Sequence, residues 1–410
     1  MRIGVIGAGP AGMMAAWHAA RHGARVVLFD SNARPGKKLL ITGSGRCNLS
    51  NEKCAPARYT CDEMDFLRCA WAELPQADLV SLLGELGIPL YATDDGWYYP
   101  LSNSAANVVE IFIEILEAAG VEFVPESRVV QIAPVGYGFK VFRENDAKPV
   151  YADSLVVASG GKAYPQTGSD GSLYPIIRGL GHQILPTRPA LAPVLLEGGT
   201  TSALKGVRVD AGCTLVKNER SMESTIGNVI FTEWGMNGPG VMDLSHCIEK
   251  PEQADYRLVV NFLPGKEALL FDSLQQGAQN GVSTRAVLLG LLPEKVVRWA
   301  MDGLEMEPNQ LAGDLPDGQA GALARKLIAT SLKVLGVKGY SHAQCSTGGV
   351  AVSEVNGSSM ESKIVPGLFF AGEVLNVNGP CGGYNLHWAL TSGWIAGRGA
   401  ALRGKMSSPD

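Results

Sequence analysis

Gly7-Ala8-Gly9-Pro10-Ala11-Gly12, set between the apolar run Arg2–Ile6 and a helically spaced segment at 10–22, decides the fold of this chain. The glycines spell G-x-G-x-x-G where a strand turns into a helix, and there each has a physical task. Gly7 permits the tight turn, Gly9 lets the backbone approach a pyrophosphate, and Gly12 lets helix and strand pack closely. Pro10 and Ala11 open the helix, where free N–H groups meet phosphate charge. A β-branched run at 24–29 follows and leads into Asp30, which can accept hydrogen bonds from both hydroxyls of an adenosine ribose. Its charge repels a 2′-phosphate, so NADP is disfavoured at this site. The unit reads as β-α-β, against the plainer alternative of an ordinary glycine turn.

Beyond Asp30, a loop rich in glycine, lysine and asparagine at 33–51 precedes helical segments at 64–74 and 76–86. Residues 107–119 place Val108, Ile111, Phe112, Ile115 and Leu116 on one helical face, ended by Gly120. Short apolar runs at 128–132, 139–142 and 155–158 predict a small antiparallel insert that returns to the main sheet. From Thr187 the texture turns to short strands, at 212–216, 228–232 and 256–262. Helices are expected at 285–292, 294–301 and 320–334, with Pro308 and Pro316 as breaks. The end of the chain returns to a strand at 368–371 and an Ala- and Gly-rich helix at 385–402.

At 410 residues with 46% hydrophobic content, the chain can bury two or three domains. Its 35 basic and 40 acidic residues give a formal charge of -5 without a run of either sign, so the partner expected is a small molecule, with no nucleic acid and no membrane. The apolar start imitates a signal peptide, but its glycine spacing and the strand ending in Asp30 argue against one. No apolar stretch reaches the length of a membrane span, and a cytoplasmic protein is expected. Oligomeric state has no sequence signature here. The cysteines at 47, 54, 61, 69, 213, 247, 345 and 381 form no Cys-x-x-Cys pair and have no histidine at ligand spacing, so no metal is expected. The regular gaps from Cys47 to Cys69 offer an iron–sulfur reading, which weighs less than that of reduced, packed thiols.

The glycine turn alone does not separate NAD from FAD, and the C-terminal stretch does. The strand ending in Ala371-Gly372-Glu373 leads into Asn378-Gly379-Pro380-Cys381-Gly382-Gly383 and a helix beginning near Tyr384. An acid at such a strand end can bind ribityl hydroxyls. A helix N-terminus beyond it can aim N–H groups at the flavin N1 and C2 carbonyl, where negative charge accumulates on reduction. The alternative is a glycine-rich loop capping a core helix. Arg46 is the candidate fixed positive charge near the pyrophosphate or flavin, or else a solvated loop arginine. Cys47 and Cys381 lie inside these motifs, although a redox pair is disfavoured without a local Cys-x-x-Cys. Packing is favoured over proton donation for His387, and Trp97-Tyr98-Tyr99-Pro100 walls either a substrate pocket or the core. Neither a serine-hydrolase elbow nor a P-loop is visible.

Gly43-Ser44-Gly45-Arg46-Cys47-Asn48 after Lys37-Lys38-Leu39-Leu40-Ile41-Thr42, Phe231-Thr232 with Gly235 and Gly238-Pro239, and the run from Pro366 to Gly397 together resemble the HI0933-like flavoproteins. The resemblance extends over nearly the whole chain. It implies an α/β fold in which a Rossmann-like FAD-binding domain, 1–187 and 346–410, is interrupted by a β-barrel-like domain at 188–265 and a small helical domain at 266–345. Residue by residue it implies that Gly7, Gly9, Gly12 and Asp30 hold the ADP half, while Lys38, Gly45, Arg46, Cys47 and Asn48 line the flavin side. Val129 or Val130 offers backbone to adenine. Ala158, Gly160, Gly372, Glu373, Gly383, Tyr384, Asn385 and Leu386 complete the expected site. Relatives often carry glutamate at the ribose position, and Asp30 is shorter by one methylene, so that contact is expected to run through water. The activity implied is an FAD-dependent oxidoreductase passing hydride through flavin N5 to an unidentified small molecule. No second G-x-G-x-x-G appears, so NAD(P)H is expected only as a transient reductant. Two other readings are an oxygen- or quinone-linked enzyme and a protein whose FAD is structural or sensory.

Overall fold

Strand β1 (Arg2–Ile6) occupies the middle of a five-stranded sheet whose order is Leu368–Phe370, Ser154–Val157, β1, β2 (Arg25–Phe29) and Glu122–Val124. Every pairing in this sheet is parallel. A parallel sheet is covered on both faces, which is why its strands read as unbroken apolar runs: Ser154–Val157 and Leu368–Phe370 are buried throughout. Helix α1 (Pro10–Arg21) follows β1 directly, so the arrangement is of Rossmann type. The computed structural model describes residues 1–144 and 146–406.

The C-terminal helix Tyr384–Met406 lies against α1 at a distance only glycine allows. A Cβ on Gly393 would come within 2.3 Å of the Ala11 carbonyl oxygen, and one on Gly397 within 2.3 Å of that of Ala15. This G-x-x-x-G pair docks the end of the chain onto its beginning. Beside the main sheet, Val129–Val135, Gly138–Arg143 and Asp146–Ala152 form the expected antiparallel insert. The amphipathic helix begins at Ala105, two residues before the expected start, because the Ser104 hydroxyl accepts a hydrogen bond from the Asn107 amide.

The chain divides into two compact units, one comprising Met1–Pro189 with the chain from Gln344 onward, the other Ala190–Ala343. In the second, six strands close an antiparallel barrel in the order Val194–Leu196, Gly235–Asn237, Arg220–Thr232, Arg208–Lys217, Tyr256–Asn261, Thr330–Val337. Its longer helices, Glu267–Gln279, Thr284–Leu289, Glu294–Asp302 and Gln319–Ile328, lie in the sequence between the last two strands. The helix expected over 320–334 is therefore corrected: it ends at Ile328, and Thr330–Val337 is a strand paired with Tyr256–Asn261 and Val194–Leu196. At Ala329 the apolar period changes from helical to alternating, with Leu332 and Val334 buried between exposed neighbours. Within the first unit, Ile184–Ala190 and Cys345–Val350 pair with each other, so the chain leaves and re-enters that unit at neighbouring points. Among the described residues, no helix is long and apolar enough to cross a membrane.

Candidate functional site

The glycine turn is fixed by contacts its own backbone makes. Gly7 adopts φ +101°, and a Cβ there would lie 2.4 Å from the Ala158 carbonyl oxygen. A Cβ on Gly12 would lie 1.7 Å from the Gly7 carbonyl oxygen, so turn, helix and the end of Ser154–Val157 interlock. Ala158 donates its amide to Ile6 at 2.8 Å and closes the same corner. Gly9 differs. Its φ of -78° suits any residue, and a Cβ there would meet nothing within 4 Å. The space before the start of α1 is open, no side chain caps that helix end, and its first turn holds no acid. Gly160 packs on Ser169, whose buried hydroxyl has no partner among the described residues.

Asp30 staples the end of β2 to this turn. Its Oδ2 accepts from the Ala8 amide at 2.6 Å, and its Oδ1 accepts from the Asn32 amide and side chain at 2.8 Å each. Asn32 also donates to the Thr167 carbonyl at 2.9 Å. Sequence reasoning passed over Asn32, although a polar side chain two residues after an aspartate is a recognisable turn signal. The Asp30 oxygens keep lone pairs for further donors.

Lys38 and Glu373, distant in sequence, form an ion pair at 2.6 Å, each about one-fifth exposed (22% and 20%). The other Glu373 oxygen accepts from the Ser346 amide at 2.9 Å and hydroxyl at 3.0 Å. Ser346 was also missed, and its only sequence trace is the Ser-Thr-Gly-Gly texture of Cys345–Val350. A Cβ on Gly372 would sit 2.8 Å from the Ala11 Cβ, which brings the C-terminal strand end to the first turn of α1.

A second group of expected residues gathers at the start of the C-terminal helix. The Asn48 amide, oriented to satisfy both ends, donates to Ser50 and Tyr98 carbonyls and accepts from the Gly383 amide. Asn385 spends its side chain on the loop before the helix, accepting from the Gly379 amide at 2.9 Å and donating to its carbonyl at 2.8 Å. Tyr384 is buried with its hydroxyl donating to Asn51 at 3.2 Å, and Leu386 packs against the core. His387 is fully buried, with Nδ1 3.0 Å from the Ser50 hydroxyl. Burial pushes its pKa down to about 3, so the ring is neutral and packed.

Arg46 and Cys47 have more local duties. The exposed Arg46 donates to Asn103 at 3.0 Å and Tyr91 at 2.9 Å, with its guanidinium 4.0 Å over the Tyr99 ring. Tyr91 and Tyr99 belong to the antiparallel hairpin of Leu90–Ala92 and Trp97–Pro100, whose Trp97 indole limits Gly382 to a hydrogen at 2.9 Å. Gly45 beside Arg46 faces open space. Burial raises the Cys47 thiol to about 12, so it stays protonated and is a poor redox partner for Cys381. In the antiparallel insert, Val129 is buried and Val130 exposed, at the point where the ladder slips register between Val129 and Gln131.

A family model described as HI0933-like protein Rossmann domain matches residues 1–399. The chain belongs to this family. Among its relatives is the 3-dehydro-bile acid delta(4,6)-reductase of Clostridium scindens, 32% identical over 98% of this chain and 99% of that protein. The ribosomal RNA dihydrouridine synthase of Escherichia coli strain K12 is 31% identical over 95% of each. Among solved structures, the 3-ketosteroid-delta4-(5alpha)-dehydrogenase from Rhodococcus jostii RHA1 aligns at a TM-score of 0.48 and 15% identity, covering 97% of this chain and 96% of that one. Not every motif of this HI0933-like chain surrounds the glycine turn. Gly235 and Gly238 build the barrel, where Cβ atoms would come within 2.0 Å of the Val194 and 2.5 Å of the Asn228 carbonyl oxygens.

Proposed function

We propose that the chain is an FAD-dependent reductase that holds its cofactor in the first unit and acts on a small conjugated carbonyl compound, with NAD(P)H as transient reductant. One observation carries this reading: the C-terminal strand end meets the N-terminal turn, with Gly372 against Ala11 and Glu373 paired to Lys38 at 2.6 Å. An ADP site alone needs no acid delivered from the far end of the chain. The residues fit the group. The open space at Gly9 before an uncapped helix end suits a pyrophosphate, and the spare lone pairs of Asp30 suit ribose hydroxyls. Val130, at the register slip, offers backbone to adenine. Glu373 and Lys38 suit the ribityl chain, and the positive dipole end of the helix that begins at Tyr384 suits the flavin N1 side. Gly160 and Asn48 fix the loops around these groups, while Asn385 and Leu386 position the helix.

When bound, FAD supplies a two-electron carrier whose N5 gives or takes hydride. The names of both relatives describe reduction of a carbon–carbon double bond, which motivates the substrate class. The net charge of -5 without a basic run favours a small molecule over RNA. RNA is the second reading, favoured by the 31% identity to the dihydrouridine synthase.

The purified protein is expected to be yellow and to release FAD, not FMN, on denaturation. NADH or NADPH should bleach it without oxygen, and a conjugated enone should restore the colour. Colourless protein that FAD cannot reconstitute overturns the cofactor assignment. Flavin that stays oxidised with both nucleotides removes the nicotinamide part, and reoxidation by ribosomal RNA but not by enones supports the second reading. Glu373→Gln keeps size and removes charge, so FAD binding should weaken by about tenfold with an unchanged circular dichroism spectrum. Unaltered affinity would place Glu373 away from the cofactor.

A further inference from the structure

The barrel unit carries a cluster that the dinucleotide site does not use. Cys247 Sγ lies 3.1 Å from Glu223 Oε2 and 3.3 Å from His246 Nε2, and that nitrogen lies 3.5 Å from the same carboxylate oxygen. His246 and Cys247 share the single turn Ser245–Cys247, and Glu223 projects from the strand Arg220–Thr232. Glu223 is exposed and the other two are half-buried, so solvent reaches the cluster.

The protons in this triangle are few. His246 Nδ1 lies 2.7 Å from the Asp243 carbonyl, which can only accept, so Nδ1 carries the hydrogen. In the neutral ring Nε2 is then a lone pair. It faces a carboxylate and a sulfur, and the thiol proton alone is left to hold three acceptors together. A protonated ring donating to Glu223 is the competing arrangement. A cation would satisfy all three at once, and the hydrogen bond to Asp243 is the kind of outer contact that orients metal-bound histidines.

The distances agree with that reading. Zinc holds sulfur at about 2.3 Å and nitrogen or oxygen at about 2.0 Å, so tetrahedral ligand pairs are spaced about 3.3–3.5 Å apart. The observed 3.1, 3.3 and 3.5 Å edges match this to within a few tenths of an ångström. Thiolate, imidazole and carboxylate together suit zinc better than magnesium or calcium. We infer that Glu223, His246 and Cys247 form a site for a zinc-class divalent ion, with a fourth position open to solvent. On binding, the Cys247 S–H proton leaves to solvent as the sulfur–metal bond forms.

Full-length protein stripped by chelator and titrated with zinc alone near neutral pH, with metal analysis after dialysis, tests this assignment. One zinc per chain is expected, with release of about one proton per ion. Cys247→Ser should abolish that proton release and, like Glu223→Gln, weaken zinc binding by at least about tenfold, with the far-ultraviolet spectrum unchanged. Cobalt in place of zinc should show a thiolate charge-transfer band in wild type, a readout that holds even if Cys247→Ser folds poorly. Retention of less than one zinc, binding that both variants leave unaltered, or cobalt without the thiolate band would each overturn the assignment.

Discussion

Gly9 and Gly12 stand three positions apart and answer to different forces. Gly12 is needed by the fold, since any Cβ there would overlap the Gly7 carbonyl oxygen at 1.7 Å, whereas Gly9 faces open space. Gly12→Ala should therefore cost about 3 kcal/mol or more of stability, seen as a lowered urea midpoint. Gly9→Val should leave the unfolding free energy within about 0.5 kcal/mol of wild type while FAD content collapses; a larger fall in stability instead would make Gly9 structural. His387 gives a pH prediction. Burial lowers its folded pKa to about 3, below the ordinary 6.5, so the unfolded chain takes up a proton that the folded chain refuses. Its contribution is intact above 6.5 and declines as the pH falls from there toward 3, by about 1.4 kcal/mol per pH unit for one proton. Urea unfolding between pH 7 and 5.5 should show a shallower decline in His387→Gln than in wild type, and identical slopes would refute the assignment. At this scale the spacing singled out Gly7 and Gly12, where the folded backbone leaves no room for a Cβ. It did not show that Asn32 and Ser346 orient the two acids, because those contacts exist only once the fold has formed.

The C-terminal helix depends on two glycines that present bare backbone to α1. Gly397→Leu would drive a side chain into the Ala15 carbonyl, 2.3 Å from where its Cβ would begin, and should lower stability by about 3 kcal/mol or more. Thermal unfolding with FAD content measured in parallel checks it, and a variant as stable as wild type would mean that the two helices do not touch there. Helices and parallel strands were the legible elements, since β1, α1 and β2 each carry a clean period bounded by turn residues. The stretch at 320–334 was not. Good helix formers run through Gln319–Ile328 and on into a strand whose alternation begins only at Thr330, and barrel closure, a contact with Tyr256–Asn261, overrides the local preference. The metal-type triangle was hidden for a similar reason. His246 and Cys247 are neighbours in sequence, but Glu223 joins them only through the fold.

The paired strands Ile184–Ala190 and Cys345–Val350 hold both crossings between the two units, so the first unit's chain ends there are already side by side. Joining Pro189 to Gln344 through a short glycine linker should therefore give a soluble protein with the parallel sheet intact by circular dichroism and about one bound FAD. A linked protein that aggregates or lacks helix signal would show that the first unit cannot stand without the second. The same topology sets an order of events during synthesis. The whole of Ala190–Ala343 leaves the ribosome before Leu368–Phe370, the edge strand beside Ser154–Val157, and before the helix whose Gly393 and Gly397 rest on α1. The barrel can close while the first unit still lacks a strand and its longest helix. The glycine turn, translated before the barrel and before both of these elements, is thus among the last to acquire its neighbours.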